Sequence, residues 1–260
     1  MLKSIVARFR QGHRTMKYPD APQPLPPRFR GLPLLDVSRC ADGCRACADA
    51  CPYLAISASG SLTLDMGKCI FCADCAVACP QDALTFSNDA RLSSRSRTGL
   101  TVTAGEPYQP GGALEGKLLR LFGRSLKLRE VSAGGCNACE ADTNVLSTIG
   151  WDMGRFGIQF VASPRHADAM FVTGPVSENM RLALLDTYTA IPEPKLVIVA
   201  GACAINGGPF KDHAEVHNGA DGLVPVDLYI PGCPPSPLTI LDGLLRLIGR
   251  VGSADPARPK

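Results

Sequence analysis

The placement of twelve cysteines in 260 residues constrains this chain more than any other feature. One run holds Cys40, Cys44, Cys47 and Cys51, closed by Pro52, and a second holds Cys69, Cys72, Cys75 and Cys79, closed by Pro80. The last four, Cys136, Cys139, Cys203 and Cys233, are scattered over the C-terminal half. The first thirty residues lack the short apolar core of a secretory signal, and there is no twin-arginine export pattern. The thiols are therefore expected to stay reduced, and so many reduced thiols point to metal rather than to disulfides.

The second run reads C-x2-C-x2-C-x3-C-P, the spacing of bacterial ferredoxins. The first differs by one extra residue before Cys44, a step that Gly43 can absorb through backbone angles closed to other residues. A cube of iron and sulfide needs four thiolates. A tight loop supplies three, and in two-cluster ferredoxins the last cysteine of each run crosses to the other cluster. The expected ligand sets are Cys40, Cys44, Cys47 and Cys79 for one [4Fe–4S] cluster, and Cys69, Cys72, Cys75 and Cys51 for a second. Zinc is the competing use of C-x-x-C pairs. Two interleaved runs ending in Cys-Pro, with no histidine among them, favour iron and sulfide.

From about Ala113 the pattern changes to short apolar runs alternating with helical segments. Strands are expected over Leu126–Val131, 157–162, Ala169–Thr173, 195–200 and 224–230, and helices over 113–122, 140–149, Glu178–Ala190 and 235–248. This order predicts an α/β fold with a flavodoxin-like parallel sheet, next to an α+β ferredoxin-like N-terminal domain. Each of the four scattered cysteines follows a predicted strand, and the carboxyl ends of parallel strands line one crevice. Cys136, Cys139, Cys203 and Cys233 are thus expected to hold a third [4Fe–4S] cluster, with Gly134, Gly135, Gly201, Gly207, Gly208 and Gly232 letting backbone approach the sulfurs. The alternative for scattered cysteines is buried core thiols.

The expected division is residues 1–34 as a basic amphipathic helix and Pro-rich connector, 35–88 as the two-cluster domain, 89–112 as a linker, 113–250 as the single-cluster domain, and 251–260 as a tail. Net charge is only +3, too small to argue for nucleic acid, but residues 1–35 carry Lys3, Arg8, Arg10, Arg14, Lys17, Arg28 and Arg30 against Asp20. Over residues 2–17, Leu2, Ile5, Val6 and Phe9 share one helical face. Such a helix suits a membrane interface or a partner surface, though a solvated extension or a transit peptide has the same pattern. No stretch reaches the roughly 18–20 apolar residues that span a bilayer.

Over nearly its whole length the chain resembles known families. Gly135-Cys136-Asn137-Ala138-Cys139-Glu140, Arg155–Ile158, Ala162–Asp168, Thr173–Val176, Gly201–Ala204 and Tyr229–Pro235 are similar to the small subunit of group 4 membrane-bound [NiFe] hydrogenases, related to the complex I subunit that holds the terminal cluster. Complex I usually has adjacent cysteines at the first ligand position, so C-x-x-C at 136–139 favours the hydrogenase branch. The N-terminal half, with its basic helix, Tyr18-Pro19 and Pro26–Gly31, resembles the two-cluster ferredoxin-like subunit of the same complexes, fused here to its neighbour. The resemblance implies an electron-transfer subunit peripheral to the cytoplasmic face of the inner membrane. Its implied partners are a catalytic large subunit, integral membrane subunits and a soluble electron donor or acceptor, with the active site outside this chain. A complex I-like quinone oxidoreductase, or a related complex without nickel, is the alternative. A zinc-bearing structural or nucleic-acid-binding protein and a free ferredoxin-fused oxidoreductase are further alternatives.

Glu140 has two readings: a proton-relay or cluster-tuning acid, or a helix N-terminal acid favoured by the dipole. Arg165 and His166 are expected at a packing or partner contact, and His213 and His217 in solvent despite their i, i+4 spacing. There is no P-loop, dinucleotide glycine motif or Ser-His-Asp set.

Overall fold

A computed structural model describes residues 2–12 and 14–252; His13 and most of the 251–260 tail lie outside the described residues. Helix α1 covers Leu2–Gln11. It is shorter than the 2–17 expectation because Gly12 takes a left-handed φ of +63° and its N–H closes on the Arg8 carbonyl, a glycine stop signal. The Pro-rich stretch then runs without helix or strand to β1 (Pro33–Leu35).

The N-terminal part is built from two similar halves. Strand β1, helix α2 (Ala46–Asp49) and strand β2 (Ile56–Ser57) are followed by β3 (Thr63–Asp65), α3 (Asp74–Val77) and β4 (Leu84–Phe86). Strand β1 pairs antiparallel with β4, and β2 with β3, so α2 and α3 come together and each cysteine run faces the other. The stretch expected as a linker is packed. Thr101–Thr103 forms strand β5 on the edge of β3, Leu100 and Val102 are buried, and Ser94 bridges to Tyr229. Its apolar residues are too few and too irregularly spaced to announce a strand; a non-local partner supplies the order.

The C-terminal part is an α/β layer structure. Its elements are α4 (Gly116–Phe122), β6 (Leu126–Ser132), α5 (Ala138–Val145), β7 (Ile158–Phe160), β8 (Ala169–Thr173), α6 (Glu178–Ala190), β9 (Leu196–Ala200), α7 (Ala202–Asn206), β10 (Leu228–Ile230) and α8 (Pro237–Leu247). The five strands are parallel in the order β10-β9-β8-β6-β7. This is the doubly wound order whose switch point lies between β6 and β8. AMFVT and LVIVA, the sequences of β8 and β9, are buried throughout, as strands covered on both faces must be. One face packs on Phe122, Leu146 and α8; the other shares a core with the N-terminal part through Leu64, Met66, Leu100, Val172, Val199 and Tyr229.

Helix α8 begins with Ser236 accepting the Thr239 N–H (3.1 Å) and Pro237 in its first turn. It buries an ion pair, Arg246 Nε to Asp242 Oδ2 at 2.8 Å, and Asp242 also accepts the Tyr18 hydroxyl at 2.5 Å. Tyr18, Thr15 and Met16 thereby fasten the N-terminal stretch to the C-terminal part, the latter two through the carbonyls of Ile149 and Gly150.

Candidate iron–sulfur sites

The fold gathers the twelve thiols into three groups of four. Cys40, Cys44, Cys47 and Cys79 form the first. Cys40 ends a turn capped by Asp36, Cys44 follows Gly43 at φ +71°, and Cys47 lies in α2, while Cys79 comes from the end of the other run. Burial and the neighbouring thiols push Cys40 and Cys47 up. Cys79 moves the other way: burial raises it, but the N–H groups of Gln81, Leu84 and Ala83 together outweigh that, and the Ala83 N–H lies 3.2 Å from its Sγ.

Cys69, Cys72, Cys75 and Cys51 form the second group around a small hollow that Ile56 and Leu64 also line. Burial, then the other thiols, push Cys69 up to about 12 and Cys75 to about 11. Phe71 (φ +58°) and Ala73 (φ +69°) take left-handed angles that fold the loop tightly. The Phe71 N–H reaches Cys69 Sγ and the Ala55 N–H reaches Cys51 Sγ, each at 3.3 Å.

Cys136, Cys139, Cys203 and Cys233 form the third, at the carboxyl ends of β6, β9 and β10. Cys139 opens α5 behind left-handed Asn137, Cys203 lies in α7 and Cys233 follows Gly232. A Cβ on Gly201 would stand 2.6 Å from Cys139 Sγ, and one on Gly208 2.9 Å from Cys203 Sγ, so the glycines keep side chains off the sulfurs. Burial, then Glu140 and the other thiols, push Cys139 well up, and burial and the other thiols push Cys203 to about 12, while Cys136 and Cys233 are exposed at the carboxyl end of the sheet.

Thiols raised by burial and by one another release their protons only when a cationic group neutralises the set, which is the chemistry of a metal–sulfur centre. Gathered thiols, N–H donors aimed at sulfur and glycine cradles fit a cluster.

Glu140 is buried beside this third group, and its Oε1 accepts from Ser132 Oγ (2.6 Å) and Thr173 Oγ1 (2.7 Å). Burial raises its pKa, but those hydroxyls and its own N–H outweigh it and hold the carboxylate charged. Ser132 and Thr173 pair directly across β6 and β8, so strand register was the missing signal for this clamp. Arg165 and His166 lie exposed in a turn after β7. The His213 ring accepts the Glu215 N–H, whereas His217 pairs with Glu178, so the two rings are not brought to one site.

Comparison with known proteins places this architecture among iron–sulfur proteins of electron transport. The description "4Fe-4S binding domain" matches residues 62–85, and "NADH ubiquinone oxidoreductase, 20 Kd subunit" matches residues 136–247. The chain is 42% identical over 137 residues to formate hydrogenlyase subunit 7 of Escherichia coli, covering 53% of this chain and 54% of that relative, about half its length. It is 39% identical to the probable membrane-bound hydrogenase subunit mbhJ of Pyrococcus furiosus over 50% of this chain and 77% of the relative. It is 40% identical to an NADH-quinone oxidoreductase subunit of Desulfovibrio desulfuricans over 57% of this chain and 87% of the relative. The chain belongs to the NADH ubiquinone oxidoreductase 20 kDa subunit family and carries a 4Fe–4S binding region ahead of it.

Proposed function

We propose that this chain is the electron relay of a membrane-bound [NiFe] hydrogenase of the formate-hydrogenlyase kind, passing single electrons between a soluble donor or acceptor and a catalytic large subunit. The observation that carries the proposal is the gathering of all twelve thiols into three groups of four. Cys40, Cys44, Cys47 and Cys79 would hold the first [4Fe–4S] cluster, Cys51, Cys69, Cys72 and Cys75 the second, and Cys136, Cys139, Cys203 and Cys233 the third. Each cluster, when bound, accepts and releases one electron without proton chemistry on this chain's part.

The work of the protein is positional and electrostatic. Backbone N–H groups stabilise thiolate charge, apolar packing by Ile56 and Leu64 excludes water from the second group, and Gly201 and Gly208 admit the third close to the backbone. Exposed Cys136 and Cys233 at the carboxyl end of the sheet suit the face that meets the large subunit. Charged Glu140 beside them tunes that cluster rather than holding a proton.

No helix among the described residues is long and apolar enough to cross a membrane. Helix α1 instead exposes Leu2 (77%) and Phe9 (85%) beside basic side chains, which suits a peripheral position on the cytoplasmic face of the inner membrane. The second reading, a component of a complex I-like quinone oxidoreductase, is favoured by the similarity to the NADH-quinone oxidoreductase relative. Anaerobic purification of the assembled complex with nickel analysis separates the two. Nickel with hydrogen evolution supports the hydrogenase, and quinone reduction without nickel supports the alternative.

A further inference from the structure

A cleft of about 320 Å³ separates the second and third cysteine groups, with Ile70 and Phe71 on one wall, Cys233 on the other, and Arg28 and Arg30 from the Pro-rich connector. Arg30 reaches across 41 residues of sequence to donate from Nη1 to the Phe71 carbonyl at 2.8 Å. Phe71 is also the residue whose N–H lies on Cys69 Sγ, so Arg30 grips the same loop residue that serves the thiol.

The grip is built in from the connector. The Gly31 and Leu32 N–H groups bond the carbonyls of Ser87 and Asp89, each at 2.8 Å, and a Cβ on Gly31 would fall 2.1 Å from the Asp89 oxygen. Only glycine lets the backbone seat this closely, and that seating fixes where Arg30 starts. No carboxylate pairs with Arg30 among the described residues. The first group differs, since its nearby arginines are compensated: Arg45 by Asp49 at 3.6 Å and Arg39 by Asp82 at 3.8 Å.

We propose that Arg30 is a positioning residue that raises the reduction potential of the centre held by Cys51, Cys69, Cys72 and Cys75 above that of the centre held by Cys40, Cys44, Cys47 and Cys79. A guanidinium that bonds the Phe71 carbonyl and pairs with no carboxylate among the described residues, Asp142 on the same cleft included, favours the reduced, more negative state of the nearer centre. Its bond to the Phe71 carbonyl polarises the peptide that leads into Cys72, and charge and hydrogen bonding around the sulfurs are the levers by which a protein sets such potentials. The consequence is a downhill step from the first group to the second, taken towards the third.

The proposal rests on the ligation proposed above. The test is an anaerobic EPR redox titration of the full chain with Arg30→Gln, Arg30→Lys and Arg28→Gln, the signals being assigned by Cys→Ser changes in each group. Arg30→Gln is expected to shift the oxidised-to-reduced ratio of the second centre about tenfold towards oxidised at the wild-type midpoint, about 59 mV for one electron. Arg30→Lys, which keeps the charge and loses the planar fork, is expected to shift it about threefold, and Arg28→Gln less than that. The other two midpoints stay in place. Unmoved midpoints in Arg30→Gln, or a shift in a different centre, overturn the role of Arg30 while leaving the ligation intact. If Arg30→Gln does not assemble, an unmoved midpoint in Arg30→Lys overturns it equally. Absence of cluster signals in the unaltered chain overturns the ligation itself.

Discussion

Arg246→Met tests how the N-terminal stretch is fastened to the C-terminal part. Arg246 is 2% exposed and bonds Asp242 Oδ2 at 2.8 Å and the Gly252 carbonyl at 3.0 Å, while Asp242, fully buried, also accepts the Tyr18 hydroxyl. Burial pushes the Asp242 pKa up even though Arg246 and Tyr18 pull it down, so the carboxylate is held at the limit of what its partners can compensate. Removing the guanidinium leaves that charge buried with the Tyr18 hydroxyl and the weaker field of Arg91, which costs about 3 kcal/mol or somewhat more. At about 2–4 °C per kcal/mol for a chain of this size, Tm falls by roughly 10 °C. Replacing the whole set with apolar groups, Tyr18→Phe/Asp242→Leu/Arg246→Met, is expected to recover most of that loss, because a buried ion pair exchanged for well-packed apolar side chains is close to neutral. Thermal unfolding followed by circular dichroism on the single and combined variants gives the coupling directly. A loss below about 1 kcal/mol for Arg246→Met, or a triple variant as poor as the sum of its parts, would refute the reasoning.

Other perturbations have equally definite outcomes. Glu130, whose buried Oε1 has no hydrogen-bond partner among the described residues, is lifted by burial and then by Glu140 from the ordinary 4.5 to about 7. The folded chain therefore holds a proton that the unfolded chain has released, and stability falls as pH rises from about 4.5 to about 7. Glu130→Gln is expected to remove that fall and to gain about 1–2 kcal/mol at pH 8 in urea unfolding, the partial exposure of the site tempering the full effect; parallel pH profiles would count against it. Gly201→Ala forces a Cβ to 2.6 Å from Cys139 Sγ at a φ of +95°. It is expected to lower iron by about four per chain with the ferredoxin-type EPR signals unchanged, and full iron content would show that the cradle tolerates it. Ile5→Asp/Phe9→Asp places charge on the exposed apolar face of α1 and is expected to abolish co-sedimentation with anionic phospholipid vesicles; retained binding would move the membrane contact elsewhere.

Much of the molecule was legible in its residues. The strand Ala169–Thr173 and helix Glu178–Ala190 lie where periodicity put them, because an unbroken apolar run and a 3.6-residue repeat bounded by Ser177 and Pro192 leave little choice. Strand β10 begins at Leu228 rather than 224, since Pro225 lacks the N–H a ladder needs. Helix α7 escaped detection: five residues closed by Gly207 are too short for any period to show, and their order comes from packing against β9. Strand β5 escaped for the related reason that its partner β3 is distant in sequence. The proposed cysteine groups rest on spacing in the two runs and on strand ends in the scattered set. Long-range polar partners such as Arg30 with Phe71, Ser132 with Glu140, or Tyr18 with Asp242 leave no periodic trace; only the folded chain brings them together.

The central claim, that twelve thiols hold three clusters, is tested most directly by quantifying iron, acid-labile sulfide and zinc in the anaerobically purified chain. About twelve iron and twelve sulfide per chain with negligible zinc is the result the account predicts. Stoichiometric zinc without iron or sulfide would contradict it.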